Sequence, residues 1–125
     1  MAVNCEKVVN DLFAAWTRLN LDEVMGHFAE DAVWDNVPMA PAQGHAAIRE
    51  MTQNFMKDVR AFSAKILKST HDGKVVFNER VDTLVMKSGK KADIRVAGMF
   101  ELNDAGKIKL WRDYFDLATF TKQVS

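Results

Sequence analysis

Hydrophobic positions in the first sixty residues recur at helical spacing. Val8, Leu12 and Trp16 mark one face of an amphipathic helix. The same spacing recurs twice more, and two prolines interrupt it between the second and third repeats. In order, the predicted elements are a helix over residues 4–19, a short helix capped by Asn20, a strand at Asp31–Asn36, a proline-containing loop at Val37–Gln43 and a helix at Gly44–Arg60.

From residue 62 onward, apolar and polar residues alternate with a period of two, which predicts strands rather than helices. Turn signals separate the alternating segments, beginning with an Asp-Gly pair at residues 72–73 that suits a tight hairpin. The predicted strands are Phe62–Ser69, Val75–Met86, Ala92–Leu102 and Ile108–Leu117, followed by a helical turn at Ala118–Lys122. Short connections of this kind predict an antiparallel meander.

Together these elements predict an α+β fold, with the N-terminal helices packed on one face of a curved, mostly antiparallel sheet. A sheet that curls around helices forms a cone with a hollow interior, and we expect a pocket there. Gly98, in the middle of a predicted strand, would allow a close approach or a bend. With 125 residues the chain has room for one core, so residues 1–125 are expected to form one domain.

Two predicted strands carry polar groups among large apolar side chains. Alternation along Val75–Met86 places five residues on one face: Val76, Asn78, Arg80, Asp82 and Leu84. On the last strand, Asp113 shares a face with Trp111 and Phe115. A face that mixes a few polar groups with aliphatic and aromatic residues is typical of a pocket wall.

Composition excludes several functional classes. Lysine plus arginine and aspartate plus glutamate number 17 each, which argues against nucleic acid or an anionic membrane as a partner. Cys5, the single cysteine, allows no internal disulfide and suits a reducing cytoplasm. We see no signal peptide and no membrane-spanning run, so a cytoplasmic location is expected. His27, His45 and His71 fit no metal motif, and we predict neither a metal nor a cofactor.

The charged groups on these faces suggest acid–base chemistry. Two carboxylates that share Arg80 in an apolar pocket cannot both ionise cheaply, so their pKa values should be pushed apart. One would then act as a general acid and the other as a general base. Arginine suits the central position because its planar fork can bond both carboxylates while it keeps its own proton.

The motif NERVD at 78–82 together with WRDYFD at 111–116 resembles the limonene-1,2-epoxide hydrolase family. That family shares the cystatin-like cone of nuclear transport factor 2 (the NTF2-like fold) and ketosteroid isomerase. The resemblance implies that Asp113 takes a proton from water, Asp82 protonates the epoxide oxygen and Arg80 holds both. The family's Tyr-x-Asn-x-Pro pattern, which positions the water, reads Trp34-Asp35-Asn36-Val37-Pro38 here. Asn36 matches, whereas Trp34 departs, because an indole can donate but cannot accept a hydrogen bond.

Further residues are expected to line the pocket, although the apolar ones could equally be plain core and Asn78 could serve only a strand neighbour. They are Met51, Phe55, Val76, Asn78, Leu84, Ile94, Val96, Trp111 and Phe115. Phe77, Val81, Val85 and Met99 face the other way, and a second copy of the chain would cover them. The family's usual dimer agrees with this expectation.

The sequence therefore predicts a hydrolase that adds water in one step to a small hydrophobic epoxide, cyclic or terpenoid-like, to give a vicinal diol. Two alternatives stay open. One is an isomerase or cyclase on the same fold, which would need a separate neutral donor; Tyr114, the only tyrosine, is predicted on the face opposite Asp113. The other is a non-catalytic dimer that binds a hydrophobic ligand and has lost turnover through Trp34.

Overall fold

A computed structural model describes residues 3–125 of the chain. Within that range the chain forms four helices and six strands. Their bounds are α1 Cys5–Thr17, α2 Leu21–Met25, β1 Phe28–Asn36, β2 Ala42–Gln43, α3 His45–Asp58, β3 Val59–Asp72, β4 Val75–Met86, β5 Lys91–Leu102, β6 Ile108–Tyr114 and α4 Leu117–Val124. The predicted α+β class is confirmed, and no helix within residues 3–125 is long and apolar enough to cross a membrane.

Asparagine side chains begin the first two helices. Asn4 Oδ1 accepts from the backbone N–H of Lys7 at 3.0 Å, and Asn20 Oδ1 accepts from that of Glu23 at 3.1 Å. These bonds satisfy backbone donors that the first turn of a helix leaves free. Helix α1 then lies against β3 and β4, with its apolar stripe buried.

The sheet is mixed, with the strand order β2-β1-β6-β5-β4-β3. Strands β3 to β6 form the predicted antiparallel meander, and β1 joins it by pairing in parallel with β6. That parallel register sets Trp34 beside Trp111 and Asn36 beside Asp113. The segment from Trp34 to Asn36 therefore lies directly beside the segment from Trp111 to Asp113.

Some predicted boundaries are wrong. Strand β2 lies in the segment that was predicted to be a loop. The last strand was predicted to end at Leu117, whereas β6 ends at Tyr114. The strand stops there because Asp116 caps α4: its carboxylate accepts from the backbone N–H of Ala118 at 3.1 Å and from Thr119 Oγ1 at 2.7 Å. A full helix follows in place of the predicted single turn.

The two faces of the sheet differ in burial. Along β4 the face toward the helices is buried from Val76 to Leu84, while Phe77 on the opposite face is 44% exposed. Val81, Val85 and Met99 share that opposite face and are partly exposed, as the alternation predicted. We call it the convex face; Tyr114 also belongs to it and is 52% exposed.

Candidate active site

A buried arginine joins two carboxylates on the concave side of the sheet. Arg80 is completely buried, and its Nε and Nη2 groups donate to Asp82 Oδ1 at 2.8 Å and to Asp82 Oδ2 at 3.2 Å. Nη2 also donates to Asp113 Oδ2 at 2.5 Å. The structure thus brings together the three ionisable side chains that the sequence singled out, although Asp113 lies two strands away from the other two.

Strand geometry explains why these groups meet. Arg80 and Asp82 are two residues apart on β4, so they point to the same face. Across the sheet, Asn78 of β4, Gly98 of β5 and Asp113 of β6 lie in one row. A Cβ at Gly98 would lie 2.5 Å from Arg80 Nη1 and 2.8 Å from Asp113 Oδ1. Only glycine therefore leaves room for the arginine to reach Asp113 across β5.

Asn78 completes the surroundings of the guanidinium. Its Oδ1 accepts from Arg80 Nη1 at 3.0 Å, while its Nδ2 has no hydrogen-bond partner among residues 3–125. The Phe13 ring centroid lies 4.4 Å from the guanidinium carbon, a cation–π distance. Asn78 therefore holds the arginine and does not line the cavity, which corrects its prediction as a pocket residue.

Asp113 is fixed from a second side. Trp111 Nε1 donates to Asp113 Oδ1 at 2.8 Å. The Trp111 ring stacks on that of Trp34, with centroids 4.6 Å apart and planes 12° apart. The indole nitrogen of Trp34 is buried without a hydrogen-bond partner in the part of the chain described. Asn36, beside Asp113 in the register, contributes its side chain to the cavity wall.

An apolar cavity of about 140 Å³ adjoins these groups. Its polar lining consists of Asn36, Asp82 and Asp113. The predicted residues that line it are Trp34, Phe55, Leu84, Ile94, Val96, Trp111 and Phe115, together with those three polar residues. Arg80 is fully buried and does not line this cavity; it contacts the two aspartates that do.

Two further pocket predictions are wrong. Val76 is fully buried and pairs with Phe100, which is equally buried, so it belongs to the closed core. Met51 on α3 packs against the same core and stays outside the lining. The residues that the sequence analysis missed are Phe13, Trp16, Met39, Val59, Phe62, Leu117 and Phe120. Phe13 and Trp16 were detectable as neighbours on the apolar stripe of α1, three residues apart.

Burial sets the electrostatics of the carboxylate beside the cavity. It raises the pKa of Asp82 to about 6; the charge and hydrogen bonds of Arg80 oppose this rise, and the charge of Asp113 adds to it. Burial by itself would lower the pKa of Arg80, but contact with Asp113 and Asp82 outweighs burial and raises it. The site therefore combines a permanent cation with a carboxyl group that holds a proton in mildly acidic solution.

Known proteins resemble the chain over nearly its whole length. Residues 3–125 match the model of the limonene-1,2-epoxide hydrolase catalytic domain. Epoxide hydrolase EphG of Mycobacterium tuberculosis (strain ATCC 25618 / H37Rv) is 33% identical over 98 residues. These span 78% of this chain and 64% of that protein, so the match covers less than two thirds of the relative.

Solved structures agree. A structure of an LEH-like epoxide hydrolase from M. tuberculosis is 29% identical with a TM-score of 0.83, covering 95% of this chain and 87% of that one. An NTF2-like protein of Burkholderia pseudomallei has a TM-score of 0.86 at 15% identity, covering 98% of both chains, which shows the fold alone. The fold is therefore the NTF2-like α+β cone, and the chain belongs to the limonene-1,2-epoxide hydrolase catalytic domain family.

Proposed function

We propose that this protein is an epoxide hydrolase that adds water in one step to a small hydrophobic epoxide and releases a vicinal diol. The observation that carries the proposal is a pair of carboxylates, Asp82 and Asp113, held by one buried arginine at the wall of an apolar cavity. The family to which the chain belongs, the name of its curated mycobacterial relative and the similar mycobacterial structure of an LEH-like epoxide hydrolase support epoxide hydrolysis.

Asp113 acts as the general base. Arg80 and Trp111 each donate to one of its oxygens, and each oxygen keeps a lone pair for a proton from water. Asn36 Oδ1 accepts a hydrogen bond from the second hydrogen of the same water, which stays on the water oxygen. A water molecule that donates both hydrogens keeps its own lone pairs free, and one of them attacks a ring carbon of the epoxide.

Asp82 acts as the general acid, because burial keeps part of it protonated near neutral pH. As the water oxygen bonds to carbon, the ring C–O bond breaks and the departing oxygen takes the proton of Asp82. Asp113 takes the proton of the water at the same time. One negative charge thus passes from Asp113 to Asp82 across the guanidinium of Arg80, which faces both and stays charged throughout.

The cavity indicates the class of substrate. Apart from the three polar residues its wall is aromatic and aliphatic, so a substrate gains affinity mainly by burying apolar surface. A volume of about 140 Å³ is close to that of a cavity that accommodates one benzene-sized molecule. A small cyclic epoxide with few polar groups fits these features, and a terpenoid-like epoxide would have to extend beyond this volume.

We further propose that the protein acts as a cytoplasmic homodimer without a cofactor. Its convex face exposes Phe77 and Tyr114 beside the partly exposed Val81, Val85 and Met99, and a second copy would cover them. The mechanism above requires only water and protein side chains. Cys5, the single cysteine, is buried and free, as suits a reducing compartment.

The isomerase alternative gains no support from Tyr114, the neutral donor that it would need, because Tyr114 lies on the convex face away from Asp113.

A single-turnover experiment in ¹⁸O-labelled water tests the proposal. A panel of small hydrophobic epoxides is mixed with excess enzyme, and the label is sought in the diol. Asp113→Asn and Asp82→Asn should both lose activity, whereas Asp31→Asn, an exposed carboxylate on β1, should keep it. Label in the first turnover supports direct attack by water. Unlabelled diol would mean that an enzyme carboxylate is the nucleophile, and no turnover of any epoxide would favour a ligand-binding protein.

A further inference from the structure

Trp34 occupies the place where the family motif has a tyrosine, and its surroundings point to a different task from holding water. Its indole N–H is buried and has no partner within residues 3–125. An indole N–H is also a donor only. A donor aimed at the attacking water would occupy one of its two lone pairs and make the oxygen less nucleophilic, whereas Asp113 and Asn36 supply the two acceptors.

The ring of Trp34 makes its closest aromatic contact with Trp111. The parallel register of β1 and β6 sets the two residues side by side, and their rings stack with centroids 4.6 Å apart. Trp111 also stacks against Phe28 at 6.1 Å and Phe100 at 5.6 Å, so its indole plane is defined by several rings. Its N–H lies in that plane and donates to Asp113 Oδ1 at 2.8 Å.

We propose that Trp34 is a positioning residue that acts on the general base through Trp111. The stack holds the Trp111 indole in the plane from which its N–H reaches Asp113. This bond occupies one lone pair of Oδ1 and fixes the orientation of the carboxylate, which leaves the remaining lone pairs for the water in the cavity. The water itself is held by Asn36 and Asp113. This inference rests on the proposed hydrolase function.

Three substitutions separate the aromatic stack from the N–H group. Trp34→Phe keeps an aromatic face without an N–H and should keep kcat within about threefold. Trp34→Leu removes the face and should lower kcat about tenfold or more at similar KM, which corresponds to about 1.4 kcal/mol.

Trp16→Leu is the matched comparison. Trp16 is an equally buried tryptophan of the cavity wall with an unpartnered N–H, but it contacts Trp34 and two phenylalanines rather than Trp111. Its loss should change KM more than kcat. Equal losses of kcat in Trp34→Phe and Trp34→Leu would show that the N–H itself acts, and an unchanged kcat in Trp34→Leu would also overturn the proposal.

A readout that needs no turnover separates this inference from the hydrolase proposal. The chain has three tryptophans, so ¹⁵N-tryptophan labelling gives three indole N–H signals to assign. Exchange of the Trp111 indole proton with solvent should accelerate in Trp34→Leu and stay slow in Trp34→Phe. That result without any epoxide hydrolysis would preserve the positioning role and refute only the proposed activity. Unchanged exchange in Trp34→Leu refutes the positioning role.

Discussion

Gly98→Ala is the smallest change that should disable the site, because Gly98 lies directly under the charged groups. The added Cβ would lie 2.5 Å from Arg80 Nη1, 2.8 Å from Asp113 Oδ1 and 3.0 Å from Asn78 Oδ1. Ordinary Cβ contacts lie at 3.4–4 Å. To restore such a contact, Arg80 Nη1 would have to move about 0.9 Å away from the new Cβ. The guanidinium is packed against the ring of Phe13 at 4.4 Å, which limits that retreat.

The cost follows from two effects. Extra atoms in a packed core cost about 1–3 kcal/mol. A stretched hydrogen bond to a charged group costs about 1.5–3 kcal/mol more, because the carboxylate of Asp113 stays buried. We therefore expect a loss of about 3–6 kcal/mol in the free energy of unfolding, a large share of the ~5–15 kcal/mol of a typical domain. Folded protein should show kcat at least tenfold lower, since Asp113 and Arg80 no longer meet in the same geometry.

Urea denaturation and steady-state kinetics on the folded fraction would measure both effects. Gly26→Ala is the matched control: this glycine has an ordinary helical φ of −61°, and its Cβ would meet only backbone oxygens at 3.4 and 3.5 Å. We expect that control to stay within about 1 kcal/mol of the parent protein. If Gly98→Ala matches Gly26→Ala in stability and kcat, the close approach across β5 does not constrain the site.

Three further predictions concern pH, the water and the convex face. Because the folded pKa of Asp82 is about 6, above its ordinary 3.8, kcat/KM should fall tenfold per pH unit above about pH 6. Relative to Asp82→Asn, the parent protein should lose about 3 kcal/mol of stability as pH rises from below 3.8 through 6; a flat difference would contradict the shift. Asn36→Leu should lower kcat about tenfold or more with little change in KM, and an unchanged kcat would remove Asn36 from the mechanism. Phe77→Lys should convert the proposed dimer to a monomer in light scattering, and equal masses for both proteins would exclude this face as the interface.

Alternation along single strands predicted much of the site. The shared face of Arg80 and Asp82 follows from their two-residue spacing, and the cavity side of Leu84 follows in the same way. Alternation tells which face a residue occupies but not how far along the cone it lies. Val76 shares that face with Leu84, yet it pairs with Phe100 at the closed end, whereas Leu84 reaches the cavity.

Contacts between distant strands could not be predicted from local pattern. The β1–β6 pairing that puts Trp34 on Trp111 joins two segments that lie far apart in the sequence, and no periodicity encodes it. The approach of Arg80 to Asp113 depends on Gly98 of the strand between them, for which the sequence indicated only a bend or close contact. Leu117 was missed because the last strand was extended past its true end at Tyr114. Phe120 lies on α4, a helix that packs on β5 in place of the predicted single turn.

The apolar wall and the acid chemistry are consequences of one physical feature. Burial is the largest cause of the raised pKa of Asp82, and Asp82 belongs to the same mostly aromatic and aliphatic wall that would bind an apolar substrate. Admitting water to that wall would relieve the desolvation of Asp82, lower its pKa toward 3.8 and leave too little protonated acid at neutral pH. A variant whose cavity is widened to admit polar substrates should therefore protonate the leaving oxygen less readily. It should also bind apolar substrates less tightly. In the proposed mechanism, substrate range and the acidity of Asp82 therefore cannot be changed independently.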